Sequence, residues 1–252
     1  MSKRICNLCL VTIIIAAAGV LHAEKREQPT AELVSVESGM YKIFQKIGQD
    51  TIPVHIGTES YSKKTFSNNT IILEGEVVMD FTVINAASGI TQANIELEVE
   101  EESLFPRRYH MKRVAKDSEL ESFIEMAANI AVSKRSINGR EEQSKQVLST
   151  GAMFIEGSLV HHRALLLHRY TSSLPGKQNV IVFDPQLKME TSAVVEYVGE
   201  QSVVVDEVAK TLNLYKVSIQ KLAEMTLYVD ENGVVVKANN GSQDFILTSF
   251  EE

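Results

Sequence analysis

Short runs of alternating apolar and polar residues dominate the chain from about residue 40 onward. In ANIELEVEE, residues 93–101, Ile95, Leu97 and Val99 alternate with Glu96, Glu98 and Glu100. In an extended chain this puts the aliphatic side chains on one face and the carboxylates on the other. A strand so divided belongs to an antiparallel sheet that is wet on one side. Near the C-terminus, TLYVDENGVVVKA (226–238) sets two β-rich runs around Asn232-Gly233, a pair suited to the positive-φ positions of a tight hairpin turn. Asn138-Gly139 signals a second hairpin. Further strands are expected over 41–47, 70–84, 107–115, 121–128, 130–137, 141–148, 178–183, 192–198, 211–219 and 244–250.

Ten or more strands at short spacing, with one helix, point to a mainly β fold: a single antiparallel sheet curled into a barrel or open half-barrel. The helix is GSLVHHRALLLHRY, residues 157–170, with Ser158 as its cap and Ser172-Ser173-Leu174-Pro175-Gly176 beyond its end. On a helical wheel Leu159, Val160, Ala164, Leu166, Leu167 and Tyr170 share an arc, while His161, His168 and Arg169 lie opposite. The pattern predicts leucines packed on the sheet and histidines turned to water.

The N-terminus reads differently. Lys3 and Arg4 precede an apolar stretch from Leu8 to Leu21, and His22-Ala23 leads into Glu24-Lys25-Arg26-Glu27. This is the layout of a secretory signal peptide, with cleavage expected after Ala23, or alternatively at Gly19. The apolar run is shorter than the ~20 residues that span a bilayer comfortably, which disfavours an anchor. The expected organisation is a signal over residues 1–23, a polar tether over 24–39 and one β-barrel-like domain over 40–252.

Both cysteines, Cys6 and Cys9, fall within the signal, so the mature chain is expected to have no disulfide, thiol nucleophile or cysteine metal site. Cys9 follows Asn7-Leu8 at the start of the apolar run rather than standing at its end, so the expected product is periplasmic and not a lipoprotein. Cleavage moves the balance from 25 basic against 33 acidic residues to 23 against 33, a formal net charge of −10. Such a chain lacks the cations that neutralise phosphates, which disfavours nucleic-acid binding and simple adhesion to anionic lipid.

The histidines invite a test for chemistry. A helix holds one metal ion with ligands three or four residues apart, but His161, His162 and His168 are spaced by one, six and seven. His161 and His168 stand ~10 Å apart along the helix axis at 1.5 Å per residue. The positions three and four away from each histidine hold no acid, histidine or cysteine, so neither a metal pair nor an acid–histidine dyad forms locally. Arg163 is the anomaly, because it falls within the apolar arc. Either its stem lies along the core and its head reaches the rim, or it points into a cavity to meet an anionic group.

In FPRRYHMKRV (105–114), alternation sends Arg107, Tyr109, Met111 and Arg113 to one face and Arg108 and Lys112 to the other. No single basic patch results, and a solvated edge strand defended by charge is expected. Tyr109 and Met111, together with Arg163, are the candidate ligand contacts. No nucleophile elbow, phosphate loop or H-E-x-x-H motif is present, so no catalytic residue, metal ligand or cofactor is nominated. Glu100-Glu101-Glu102 reads as a solvated turn, and Asn68-Asn69-Thr70 matches a glycosylation acceptor only formally.

LLLHRYTSSLPGKQNVIVFDPQ (165–186) and LYVDENGVVVKA (227–238) resemble segments of bacterial envelope proteins of the DUF3108-like kind, of unknown function. Their sheets are similar to the half-barrels of the lipoprotein-localisation carriers. The resemblance implies a periplasmic sheet wrapped around an apolar concavity, with no catalytic motif. Three functions follow as expectations, in this order: a non-enzymatic carrier for an apolar or acyl-chain ligand; an envelope scaffold that meets a partner protein through a sheet edge; and a hydrolase with dispersed carboxylates.

Overall fold

A computed structural model of the chain describes residues 31–47, 52–205 and 207–252. The chain separates into the units Met1–Thr30 and Ala31–Glu252. The expected signal, and residues 24–30 of the expected tether, lie outside the described residues.

Eight strands lead: β1 (Leu33–Gln45), β2 (Val54–Phe66), β3 (Thr70–Asp80), β4 (Ile90–Glu100), β5 (Pro106–Ala115), β6 (Ser118–Ala127), β7 (Ile130–Ile137) and β8 (Arg140–Val147). A two-residue β9 (Met153–Phe154) and helix α1 (Val160–Leu165) follow, the helix tightening into a 3₁₀ turn over Leu166–Arg169. The last six strands are β10 (Lys177–Asp184), β11 (Met189–Val205), β12 (Val208–Ile219), β13 (Met225–Val229), β14 (Val235–Asn239) and β15 (Gln243–Glu251).

All fifteen make one sheet, ordered β8-β7-β6-β5-β4-β3-β2-β1-β15-β14-β13-β12-β11-β10-β9. Two meanders meet where β1 pairs with β15, and every pairing is antiparallel except that of β9 with β10. The ends β8 and β9 do not pair, so the sheet is curled but open. Register shifts at Met40/Tyr41, Ile43/Phe44, Glu98/Val99 and Tyr197/Gly199 increase the local twist and bend that curling requires.

The inner face is the one foreseen from alternation. Ile95, Leu97 and Val99 of β4 are buried with Ile71 and Leu73 of β3, and with Leu120 and Ile124 of β6. Outside, Arg108 pairs with Glu96 at 2.7 Å and Lys112 with Glu119 at 2.8 Å, cross-strand contacts that help to fix register. A smaller cluster of Val205, Leu212 and Val236 packs with Tyr228 and Ile246. Val236 alternates with the inward Val235, which places this cluster on the opposite face.

Several expectations are corrected. The tether ends early, because β1 begins at Leu33 and residues 33–39 belong to it. The whole of β2 lacks a strict apolar alternation, since VHIGTESYSKKTF buries Glu59 among its inward residues. β5 is not an edge strand, being paired with β4 and β6 along its length. The helix is shorter than residues 157–170, and its cap is Leu159, with no side-chain bond from Ser158. Asn138 and Gly139 both adopt positive φ, 49° and 79°, as a two-residue hairpin turn demands. At the second signal only Gly233 does so, because the Asp230 carboxylate accepts the N–H groups of Asn232 and Val234 and opens a wider loop.

Candidate functional site

Helix α1 is short, so propensity alone would not hold it. It is pinned inside the curl by polar contacts to strands of both meanders. The Glu59 carboxylate, on β2, accepts the N–H of Val160 at 3.2 Å and of His161 at 3.1 Å. This satisfies helix-start donors that no local side chain caps. The same carboxylate accepts the His161 Nδ1–H at 2.7 Å, with both side chains almost wholly buried.

His161 therefore does not face water, contrary to the wheel. Its Nε2 is buried without a hydrogen-bond partner among the described residues, and a Cβ on Gly75 of β3 would stand 2.8 Å from its Cε1 and 3.0 Å from Nε2. The residue opposite the ring must be glycine for the ring to fit. In an acyl-transfer triad the second imidazole nitrogen meets a hydroxyl; here it meets backbone, and the dyad acts as a pin.

Tyr61 stacks on His161 with ring centroids 5.3 Å apart, and Tyr41 stacks on Tyr61 at 5.9 Å. His162 abuts His161 edge-on at 4.6 Å. Its Nδ1 accepts the Glu156 N–H at 3.1 Å, and burial followed by the His161 neighbour holds its pKa well below 6.5. His162 is thus a neutral acceptor in the core, and it too departs from the expectation of a solvated face.

Arg163 takes neither of the two routes expected of it. Its side chain is fully buried. Nε donates to the Gly157 carbonyl at 2.6 Å, Nη1 to Val217 at 3.0 Å and Nη2 to Ala223 at 2.8 Å. The guanidinium ties the helix to β12 and the loop beyond it, and burial lowers its pKa to about 10 against the favourable charge of Asp184.

Tyr109 and Met111 share the inner face, as alternation requires, and both are completely buried. The Tyr109 hydroxyl donates to Glu156 Oε2 at 2.6 Å. Ser158 and the Gln186 amide reach Glu156 Oε1. Burial and the nearby Asp184 push the Glu156 carboxyl up to about 7. Asp184 is raised as well, chiefly by burial, although Gly157, Gln186 and Leu187 each give it a backbone N–H.

A cavity of about 590 Å³ remains between helix and sheet. Its buried wall comprises Tyr41, Leu73, His161, Leu165, Val229 and Val235, and its more exposed border includes Glu37, Lys63, His168, Asn232 and Glu252. Of the three candidate ligand contacts, Arg163, Tyr109 and Met111, none lines it. Sequence reasoning missed Glu59, Tyr61 and Lys63, which stand on the one long strand it did not identify. An isolated acid within a strand-like run was the signal available.

The fold and site define a class: an open, barrel-like antiparallel sheet with a helix pinned in its curl beside a ligand-sized cavity. No family model matches the sequence, and no curated protein does. Among solved structures the chain is similar to a beta-barrel-like protein of the domain of unknown function DUF1849 from Brucella abortus. The TM-score is 0.59 and the identity 12%, over 86% of this chain and 97% of that one. At that identity the likeness is one of fold.

Proposed function

We propose that the protein is an exported, non-enzymatic carrier of the cell envelope that holds a small amphipathic ligand in this cavity. The cavity itself carries the reading. Its volume of about 590 Å³ falls within the ~300–1,000 Å³ of small-molecule sites, and its lining combines buried aliphatic side chains with polar and charged ones. The N-terminal signal pattern and the DUF3108-like resemblance to carrier half-barrels support it. The contents of the curl change the earlier expectation: helix and core side chains occupy much of it, so the ligand is smaller and more amphipathic than an acyl chain laid along an empty sheet. Glu156 and Asp184 are a buried carboxylate pair, but neither lines the cavity, which places the hydrolase reading last.

Native mass spectrometry of the chain from Glu24 onward, purified from periplasm without detergent, tests the proposal. A reproducible added mass that organic extraction removes is expected. A bare mass, with no displacement of a hydrophobic probe from the cavity, would sink it. The edge strand β8 supports a second reading, that of an envelope scaffold. It is largely exposed along its eight residues and pairs only with β7 among the described residues, and edges accept partner strands. Its charged sequence REEQSKQV is, however, of the kind that discourages pairing.

A further inference from the structure

We propose that the cavity takes a monoanionic amphiphile, its carboxylate-type head between Lys63 and His168 at the border and its aliphatic tail against Leu73, Leu165, Val229 and Val235. This rests on the reading of the cavity as a ligand site and names the ligand's chemistry. The first support is segregation. The four tail contacts are buried apolar residues, whereas the charged lining residues Glu37, Lys63, His168 and Glu252 are partly or fully exposed. A wholly apolar ligand would leave that border without a function, and a wholly polar one would face the apolar wall.

The second support is the hydrogen-bonding capacity still free at the border. Lys63 Nζ lies 3.2 Å from Glu37 Oε2, which uses one of its three N–H donors. The Glu37 carboxylate also lies near Tyr61, whose phenol it helps to hold above its ordinary pKa. Glu37 is therefore engaged on both sides, while Lys63 retains two donors with no partner among the described residues. His168 lines the same cavity and makes no hydrogen bond among the described residues; burial, followed by the charge of Lys63, lowers its pKa. Two nitrogen-bearing side chains with unspent capacity thus line the partly exposed border of the cavity. Glu252 is exposed, so solvent screens its repulsion. The stacked Tyr41–Tyr61–His161 rings cover the faces of Tyr61 on both sides, which removes that ring as a seat for a cationic head.

Octanoate and 1-octanol share one tail and differ in the head, so calorimetric titration with both at pH 7.5 separates the two levels of the argument. Octanoate is expected to bind about tenfold or more tightly than octanol, as a charge-assisted hydrogen bond implies. Each added methylene should improve either ligand about fourfold until the cavity is full. Lys63→Met should remove the octanoate advantage and leave octanol unchanged, and Glu37→Gln should tighten octanoate alone by releasing the lysine. Should Lys63→Met fail to fold or lose octanol as well, Glu37→Gln decides, and no gain in octanoate there refutes the proposal. Equal binding of the two probes to the native protein overturns the anionic head and leaves the carrier reading standing. Binding of neither overturns both.

Discussion

Replacing Glu156 by glutamine probes the buried polar cluster that joins β5, the helix start and the turn after β10. The carboxyl accepts the Tyr109 hydroxyl at 2.6 Å and has Asp184 as an acidic neighbour, and its pKa is raised from 4.5 to about 7. Across that window the folded protein holds a proton that the unfolded chain has released. Unfolding free energy therefore falls as pH rises, and ionised Glu156 costs the fold about 3 kcal/mol at ~1.4 kcal/mol per tenfold change in the proton equilibrium. His162 has the opposite sign. Its pKa is held well below 6.5 by burial and by His161, so the unfolded chain takes up the extra proton and stability is lost as pH falls below 6.5. The two slopes oppose each other as pH falls below 6.5, so a profile of the native protein alone would not isolate Glu156. The difference between Glu156→Gln and the native protein removes the histidine contribution. Glutamine copies the neutral acid, with one acceptor oxygen and a donor that can turn to Tyr109. Urea unfolding at constant ionic strength from pH 4.5 to 8 should show the variant gaining about 3 kcal/mol on the native protein over that range. An offset that stays constant with pH would refute the reasoning, because it would mean that the folded carboxyl ionises where an exposed one does.

Three further outcomes follow from the same geometry. Gly75→Ala would drive a Cβ to 2.8 Å from the His161 ring; thermal unfolding should show a loss of about 1–3 kcal/mol, and the loss should largely vanish in a His161→Ala background. Glu59→Gln should cost about 1.5–3 kcal/mol by weakening the charge-assisted bonds to the Val160 and His161 N–H groups and to Nδ1; an unchanged urea midpoint would contradict the role of Glu59 as the helix pin. Arg163→Lys should destabilise by about 3 kcal/mol or more, since a single ammonium does not span three carbonyls, yet any variant protein that folds should bind octanoate as before, because Arg163 does not line the cavity.

Much of the sheet was legible because strand alternation is a local property. The residues from Ile95 to Val99 declare their inner and outer faces within five positions, and the hairpin at Asn138-Gly139 states its backbone requirement in two. β2 was not legible, because Gly57, Glu59 and Tyr61 replace its inward aliphatics for reasons that lie elsewhere in the chain. Gly57 admits the backbone of β3, and Glu59 and Tyr61 receive the helix.

The sequence by itself determined the class of fold, the inner face of residues 95–99 and of Tyr109 and Met111, and the presence of one helix, since periodicity and turn chemistry act between near neighbours. Only the tertiary structure decided what the helix's charged residues do. Glu59 and His161 are 102 positions apart, and Arg163 finds its acceptors 54 and 60 residues away. A helical wheel sorts residues by their distance from an apolar arc, and it has no means of showing that a buried carboxylate on β2 or the carbonyls of Val217 and Ala223 wait on the other side. In the curl of this sheet those partners offset the cost of burial, and His161, His162 and Arg163 turn inward while His168 and Arg169 stay exposed.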